Sequence, residues 1–297
     1  IRDVAVTGVQ TCALPIYEFG LPVTILGADP DTEVLVLEMG ERFPGDLTHL
    51  CGIARPEIGI VTHVGLAHAE HLGDCDGVVS VLAEMVRSLP ADGLAVLNAD
   101  CDATPTLRTH AVAPVLTAGL DAGADVRVTG LAIDDELRAS FDLLTPWGRL
   151  DGVRLEVRGA HQAVNAAQAA AVALHLGVGP DVVTAGLGQA TGAHWRMELA
   201  RSAGGVTVLN DAYNASPGAM ESALHSLDRL PARRRFAVLG AMLELGAHGA
   251  AEHARIGRLA ASLAIDTIVV VRRKRNEAFG TIHVTGRDVA EIGRAHV

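Results

Sequence analysis

Strands and helices alternate along most of the chain. Short runs of β-branched residues and leucine are separated by longer segments whose apolar residues recur at helical spacing. The predicted strands are residues 34–38, 58–64, 94–98, 206–209, 236–239 and 267–271, and the predicted helices are 45–54, 76–89, 161–176, 180–190 and 248–263. Such alternation predicts an α/β protein whose mostly parallel sheets are covered by helices on both faces.

Two places interrupt this pattern. Residues 125–158 alternate between apolar and polar positions around a turn sequence, Thr145-Pro146-Trp147-Gly148, which predicts antiparallel hairpins. Residues 196–205 end in two glycines just before the strand 206–209. We therefore expect a larger, mostly parallel domain followed by a smaller Rossmann-like α/β domain.

A polar cluster follows the strand 206–209, which we expect to be buried. It contains Asp211, Tyr213 and two asparagines, and then Ser216 and Pro217 provide an N-cap residue and a first-turn proline for a helix. Strands of α/β proteins commonly deliver polar groups to a helix N-terminus that binds phosphate. On spacing alone, an ordinary strand-to-helix loop is the preferred explanation.

Composition excludes several classes of protein. The chain has 297 residues, of which 49% are hydrophobic and 20% charged, as expected for two compact domains. Its net charge of -11, with a basic run only at residues 272–275, argues against nucleic acid as a partner. No apolar run reaches membrane-spanning length, so we expect no membrane insertion. Four cysteines without CxxC spacing indicate a reducing, cytoplasmic compartment.

Both ends of the chain have an unusual character. Residues 1–16 and 291–297 can each be back-translated into a common sequencing adapter, so we exclude them from fold prediction. Thr7-Gly8 in the first segment follows a strand-like run, but neither further glycines nor a Lys-Ser/Thr pair follows it. A phosphate-binding loop needs both features.

Seven short segments occur in the order found in the Mur ligases, and the chain resembles that family over residues 17–290. The segments are Leu37-Glu38-Met39-Gly40, Gly65-Leu66-Ala67-His68, Val96-Leu97-Asn98-Ala99-Asp100, His161-Gln162-Ala163-Val164-Asn165, Arg196-Met197-Glu198, the run from Asn210 to Pro217, and the run from Val238 to Gly246.

The resemblance implies an organisation and an activity. Residues 17–197 would form a partial central ATP-binding domain without its phosphate loop, and residues 198–290 a truncated C-terminal domain. The Asp-Ala-Tyr-Asn and Met-Leu-Glu-Leu-Gly motifs favour the members that join D-alanyl-D-alanine to UDP-N-acetylmuramoyl-tripeptide, using ATP and Mg²⁺. An ATP-dependent amide ligase of peptidoglycan precursor synthesis, monomeric and cytoplasmic, is therefore the implied function.

The resemblance also implies roles for four residues of the central domain. Glu38 and His68 would be metal ligands, and a carboxylate at a strand end suits Mg²⁺. Gln162 and Asn165 would hold adenine; their spacing places them on one helix face, and amides offer donors and acceptors to a base edge. Without the motifs, an exposed strand-end acid, a structural histidine and a polar first helical turn would explain these residues.

The resemblance implies roles for three further residues, which lie at or after the domain boundary. Arg196 would contact phosphate, a role that suits a rigid guanidinium, although a boundary salt bridge is its alternative. Asp211 and Asn214 would bring the second domain over the nucleotide when the domains close.

Departures from the family pattern argue against catalysis by this chain itself. Leu82 stands where the family has a lysine whose carbamate supports a metal, Ala241 stands at a common aspartate, and His63 at a usual asparagine. Together with the missing phosphate loop, Leu82 predicts an inactive chain, whatever its parent enzyme does.

Three other functions stay open at this point. A different Mur ligase or a folylpolyglutamate synthase is one, although the Asp-Ala-Tyr-Asn segment argues against it. A non-catalytic nucleotide-binding protein is the second, supported by Leu82. A dehydrogenase is the weakest, because no GxGxxG follows a strand.

Overall fold

A six-stranded sheet organises the first part of the chain. The computed structural model describes residues 20–66 and 69–271. The strands follow chain order in the sheet: β1 Ile58–Val61, β2 Leu94–Asn98, β3 Val115–Gly119, β4 Val126–Ile133, β5 Arg138–Thr145 and β6 Gly148–Arg158. Strands β1 to β4 pair in parallel, and β5 and β6 continue the sheet as antiparallel hairpins. The predicted change of character at residues 125–158 is confirmed.

Helices cover both faces of this sheet. They are α1 Gly20–Leu26, α2 Asp46–Ala54, α3 Ala69–Leu72, α4 Cys75–Ser88, α5 Thr104–Thr109, α6 Gln162–His175 and α7 Pro180–Gly188. In β2, Leu94 and Val96 pack into one core with α6, and Ala95 and Leu97 pack into another with α2 and α4. Because every residue of β2 is buried, its continuous apolar run is explained. We call the described residues up to 190 the first unit.

Residues 198–271, the second unit, contain two small sheets. Strands β7 (Glu198–Arg201) and β8 (Thr207–Asn210) pair antiparallel, and β9 (Phe236–Leu239) and β10 (Thr267–Val270) pair in parallel. Helix α8 (Pro217–Arg229) precedes β9, and a 3-10 turn with helix α9 (Gly249–Ser262) connects β9 to β10. These helices and the β9–β10 sheet share an apolar core.

Two sequence predictions about strands were wrong. Residues 34–38 form no strand in the part of the chain that the structure describes, although Leu37 packs against the first unit's core. A short apolar run favours a strand, but a strand also needs a neighbour to complete its hydrogen bonds. The strand at 206–209 forms, but Val206 and Val208 are 61% and 48% exposed, because β8 pairs only with β7 among the described strands.

Candidate functional site

The two units meet where β1 ends. Leu66, in the loop after β1, packs against the apolar core of the second unit. The Glu70 N–H donates to the Glu244 carbonyl at 2.9 Å, and the His248 ring lies 3.0 Å from the Gly73 carbonyl. The carboxyl end of a parallel strand therefore faces the second unit, as in other α/β proteins that bind ligands there.

Helix α6 brings two of the predicted ligand-binding side chains together. Asn165 Nδ2 donates to Gln162 Oε1 at 3.1 Å, so the two amides share the first turn's exposed face. Gln162 Nε2 also lies 3.1 Å from His161 Nε2. Gly159 permits this start, since its φ is +104° and a Cβ there would lie 2.5 Å from the His161 ring.

His161 couples this helix start to the second unit. Burial lowers the pKa of the His161 imidazole, and the negative charge of Asp211 opposes that shift. A histidine with a lowered pKa is neutral near pH 7 and can donate from one ring nitrogen and accept at the other. Sequence reasoning did not single out His161, because its proximity to Asp211 is a tertiary contact.

Arg196 lies in an unusual backbone segment. Trp195 and Met197, on either side of it, have φ of 60° and 50°, values that non-glycine residues rarely adopt. Met197 is buried with Leu137 and Leu230, which anchors the segment. The exposed Arg196 guanidinium lies over the ring of Tyr213, with its carbon 4.3 Å from the ring centroid.

Asp211 and Asn214 lie in the loop between β8 and α8. Asp211 Oδ1 accepts from the Met197 N–H at 3.0 Å, and Asn214 Oδ1 accepts from the Ala215 N–H at 2.8 Å. Ser216 Oγ accepts from the Ala219 N–H, which confirms the predicted N-cap of α8. The helix starts close to the first unit, since a Cβ built at Gly218 would lie 3.9 Å from His63 Nε2.

A cavity of about 200 Å³ opens beside His161 between the two units. The first unit contributes the β4–β5 hairpin and the loop before α6, and helix α8 contributes His225 and Arg229. The start of α6 is therefore accessible from the cleft between the units.

The structure describes one of the two predicted metal ligands. Glu38 is exposed in the segment before α2, and His68 lies outside the described residues, so their proximity stays a prediction. Within residues 20–66 and 69–271, no three His, Cys, Asp or Glu side chains are grouped as a metal site.

Leu82 and Glu84 have structural roles. Leu82 is half-buried against the core that contains α2 and α4, an apolar contact that a charged group would not make. The Glu84 carboxylate accepts from the N–H groups of Gly45 and Thr48 at 2.8 and 3.0 Å, which caps α2. The sequence signal for this cap is weak: Gly45 precedes α2 and has no side chain to cap it.

Comparisons with known proteins agree with this architecture. The model of the Mur ligase middle domain matches residues 15–173, and that of the Mur ligase glutamate ligase domain matches residues 195–293. The chain belongs to the Mur ligase family. Among the described residues, no helix combines the length and apolar character needed to cross a membrane.

Three individual members of this family illustrate how similar the chain is to known proteins. The UDP-N-acetylmuramoyl-tripeptide–D-alanyl-D-alanine ligase of Mycobacterium tuberculosis is 39% identical over 265 residues, which cover 87% of this chain and 52% of the relative. A crystal structure of MurF from Acinetobacter baumannii matches with a TM-score of 0.79 at 31% identity, over 84% of this chain and 54% of that one. MurF from Thermotoga maritima in complex with ADP matches with a TM-score of 0.80 at 27% identity, over 94% and 62%.

Proposed function

We propose that this Mur ligase chain corresponds to part of an ATP-dependent amide ligase that adds D-alanyl-D-alanine to UDP-N-acetylmuramoyl-tripeptide. The chain spans about half the length of the curated relatives it matches, which bear the name of that reaction. The observation that carries the proposal is the position of Asp211, whose charge acts on His161 at the start of α6 and whose carboxylate bonds the segment next to Arg196.

The proposed ligase reaction has two steps, phosphoryl transfer and amide formation. A carboxylate oxygen of the tripeptide attacks the γ-phosphorus of ATP, the bond to the β-phosphate oxygen breaks, and ADP leaves. The dipeptide amine then attacks the acyl phosphate carbon, loses a proton, and inorganic phosphate leaves. Both steps depend on positioning and charge neutralisation more than on covalent help from side chains.

ATP is proposed to bind in the cleft through residues of both units. Gln162 and Asn165 would hold the adenine edge, since primary amides offer both donors and acceptors. Arg196 would contact phosphate oxygens, because its guanidinium is always charged and presents several N–H groups. Asp211 and Asn214 would bring residues 198–290, the proposed C-terminal domain, over residues 17–197, the proposed ATP-binding domain.

Magnesium is proposed to accompany the nucleotide. Mg²⁺ prefers hard oxygen ligands and is usually held by one or two carboxylates, phosphates and water. The exposed carboxylate of Glu38 fits that chemistry, and His68 is the second proposed ligand. The bound ion would neutralise phosphate charge. The half-buried Leu82 offers no ligand atom, so a site supported by a carbamylated lysine does not fit this chain.

We further propose that the reaction takes place in the cytoplasm and that the protein is a monomer. The free cysteines Cys51, Cys75 and Cys101 fit a reducing compartment.

An assay of phosphate release tests the ligase proposal. The unmodified chain should show no release that depends on both tripeptide and dipeptide, because its sole lysine is Lys274 and no Gly-Lys-Thr/Ser loop occurs in it. Joining the chain to the phosphate loop and first domain of a relative should create such release, and Leu82→Lys should raise it. Asp211→Asn in the joined protein is the control that should lower release.

A non-catalytic nucleotide-binding protein is the second candidate, favoured by the apolar packing of Leu82. ADP binding with no ligation by the joined protein, with or without Leu82→Lys, would support it against the ligase. Turnover by the unmodified chain would contradict our account of the phosphate loop.

A further inference from the structure

The Arg196 side chain meets an aromatic ring at the cleft. Its guanidinium carbon lies 4.3 Å from the centroid of the Tyr213 ring, within the range of a favourable cation–π contact. A guanidinium that stacks on a ring uses its π face and keeps its in-plane N–H groups for anions. The contact therefore fixes the cation without using up the donors that would bind phosphate.

Two hydrogen bonds, each donated by a backbone N–H, connect the segments that carry Arg196 and Tyr213. The Tyr213 N–H donates to the Trp195 carbonyl at 3.2 Å, and the Met197 N–H donates to Asp211 Oδ1 at 3.0 Å. Each contact joins the segment around Arg196 to the loop after β8. The left-handed φ values of Trp195 and Met197 are thus retained by specific partners, as expected of a backbone whose geometry serves a site.

We propose that Tyr213 is a positioning residue that holds the Arg196 guanidinium on its ring and presents its N–H groups to an anionic ligand of the cleft. This inference rests on the phosphate role proposed above for Arg196. An exposed arginine loses rotamer freedom when it binds an anion, and a guanidinium already held on a ring loses less. Tyr213 would therefore raise anion affinity without touching the anion.

Nuclear magnetic resonance tests the contact in the chain without nucleotide. The ring current of Tyr213 should shift the Arg196 Hε resonance upfield, and Arg196→Lys assigns that resonance. Tyr213→Phe keeps the ring and should preserve the shift, whereas Tyr213→Leu should abolish it. Trp195→Leu is the matched control, since Trp195 is a neighbouring exposed ring whose removal should leave the shift.

Calorimetric titration with ADP and magnesium tests the consequence. Tyr213→Leu should weaken ADP binding about two- to fivefold, the range expected for one exposed cation–π contact, and Tyr213→Phe should bind like the wild type. In an Arg196→Ala background, Tyr213→Leu should have no further effect. A purely structural role for Tyr213 would weaken binding in both backgrounds and would overturn the proposal.

The two measurements separate this inference from the proposed function. An Arg196 resonance that Tyr213→Leu leaves in place would overturn the role of Tyr213, whatever the affinity. If the wild-type chain bound no ADP, the nucleotide proposal would fail for this chain, and the Arg196 resonance alone would decide whether Tyr213 holds the guanidinium.

Discussion

The two units differ in how completely their strands are covered. In the first unit every residue of β2 is buried, and apolar cores lie on both faces of the sheet. In the second unit Phe236 and Val238 of β9 are 51% and 64% exposed, and the described core lies on one side. Since buried apolar area is the main source of stability, we expect the first unit to act as a stable scaffold and the second to open more readily.

This difference suits the chemistry proposed for the cleft. The first unit fixes the start of α6, and the second unit carries Asp211 and the loop that contacts Arg196. Enzymes commonly close a mobile loop or domain over bound ligands. We expect the second unit, whose strands are less covered, to be the one that moves.

The substitution with the largest expected effect tests whether the two units unfold separately. Ile256 of α9 is fully buried in the second unit's core, so Ile256→Ala should cost about 2–5 kcal/mol of unfolding free energy. Because the first unit has its own cores, the loss should be confined to the second. Hydrogen exchange should show lower protection in α9, β9 and β10 and unchanged protection in β2.

A substitution in the core of the first unit provides the reciprocal test. Leu97→Ala removes a fully buried side chain from the first unit's core, which should lower protection in β2 and β3. Equal losses of protection in both units after Ile256→Ala would contradict separate unfolding and indicate a single cooperative structure.

The second prediction concerns the docking of the units. Gly246 has a φ of +50°, and a Cβ there would lie 2.9 Å from the Glu70 Cα, so Gly246→Ala should strain the contact by about 2 kcal/mol or more. The Glu70 amide, which donates to Glu244, should then exchange faster. Gly249→Ala is the control, because a Cβ there meets only the Leu245 Cβ, at 3.8 Å. Unchanged exchange at Glu70 would show that the units adjust around the added methyl group.

Local sequence patterns accounted for most elements of both units, although β3 was not predicted and residues 34–38 form no strand. The buried strand β2 follows from its short continuous apolar run, and the α6 pair Gln162 and Asn165 follows from the i, i+3 spacing on a helix. Residues 34–38 are a similar apolar run, but whether they pair depends on a neighbouring strand. Periodicity contains no information about such neighbours.

The candidate site also contains residues that the sequence identified and a residue that it did not. Glu38, Arg196 and Asp211 were selected from motifs, and the structure joins the last two through Met197 and Tyr213. His161 was missed, because Asp211, whose charge acts on its pKa, comes from a distant part of the sequence in the other unit. Contacts between distant segments decide such roles.

The third prediction concerns the Glu84 carboxylate that caps helix α2 in the first unit. Glu84→Gln should cost about 1–2 kcal/mol, because the amide is a weaker acceptor than the carboxylate that caps α2 through Gly45 and Thr48. Glu57→Gln, at an exposed position before β1, is the matched control. Urea denaturation measures both. An effect on the second unit's protection would contradict the independence of the two units.

The smallest expected effect is a pH dependence of the docked cleft. Burial lowers the folded-state pKa of His161 below its unfolded value, so below about pH 6.5 the folded protein binds fewer protons than the unfolded chain. His161 therefore costs no stability above that pH, and stability is lost as the pH falls toward the folded pKa. His161→Gln should reduce this acid loss relative to His175→Gln, which removes the histidine at the other end of the same helix. Urea denaturation at pH 7.5 and 5.5 measures the difference, and an equal acid loss in both variants would show that His161 does not titrate in this way.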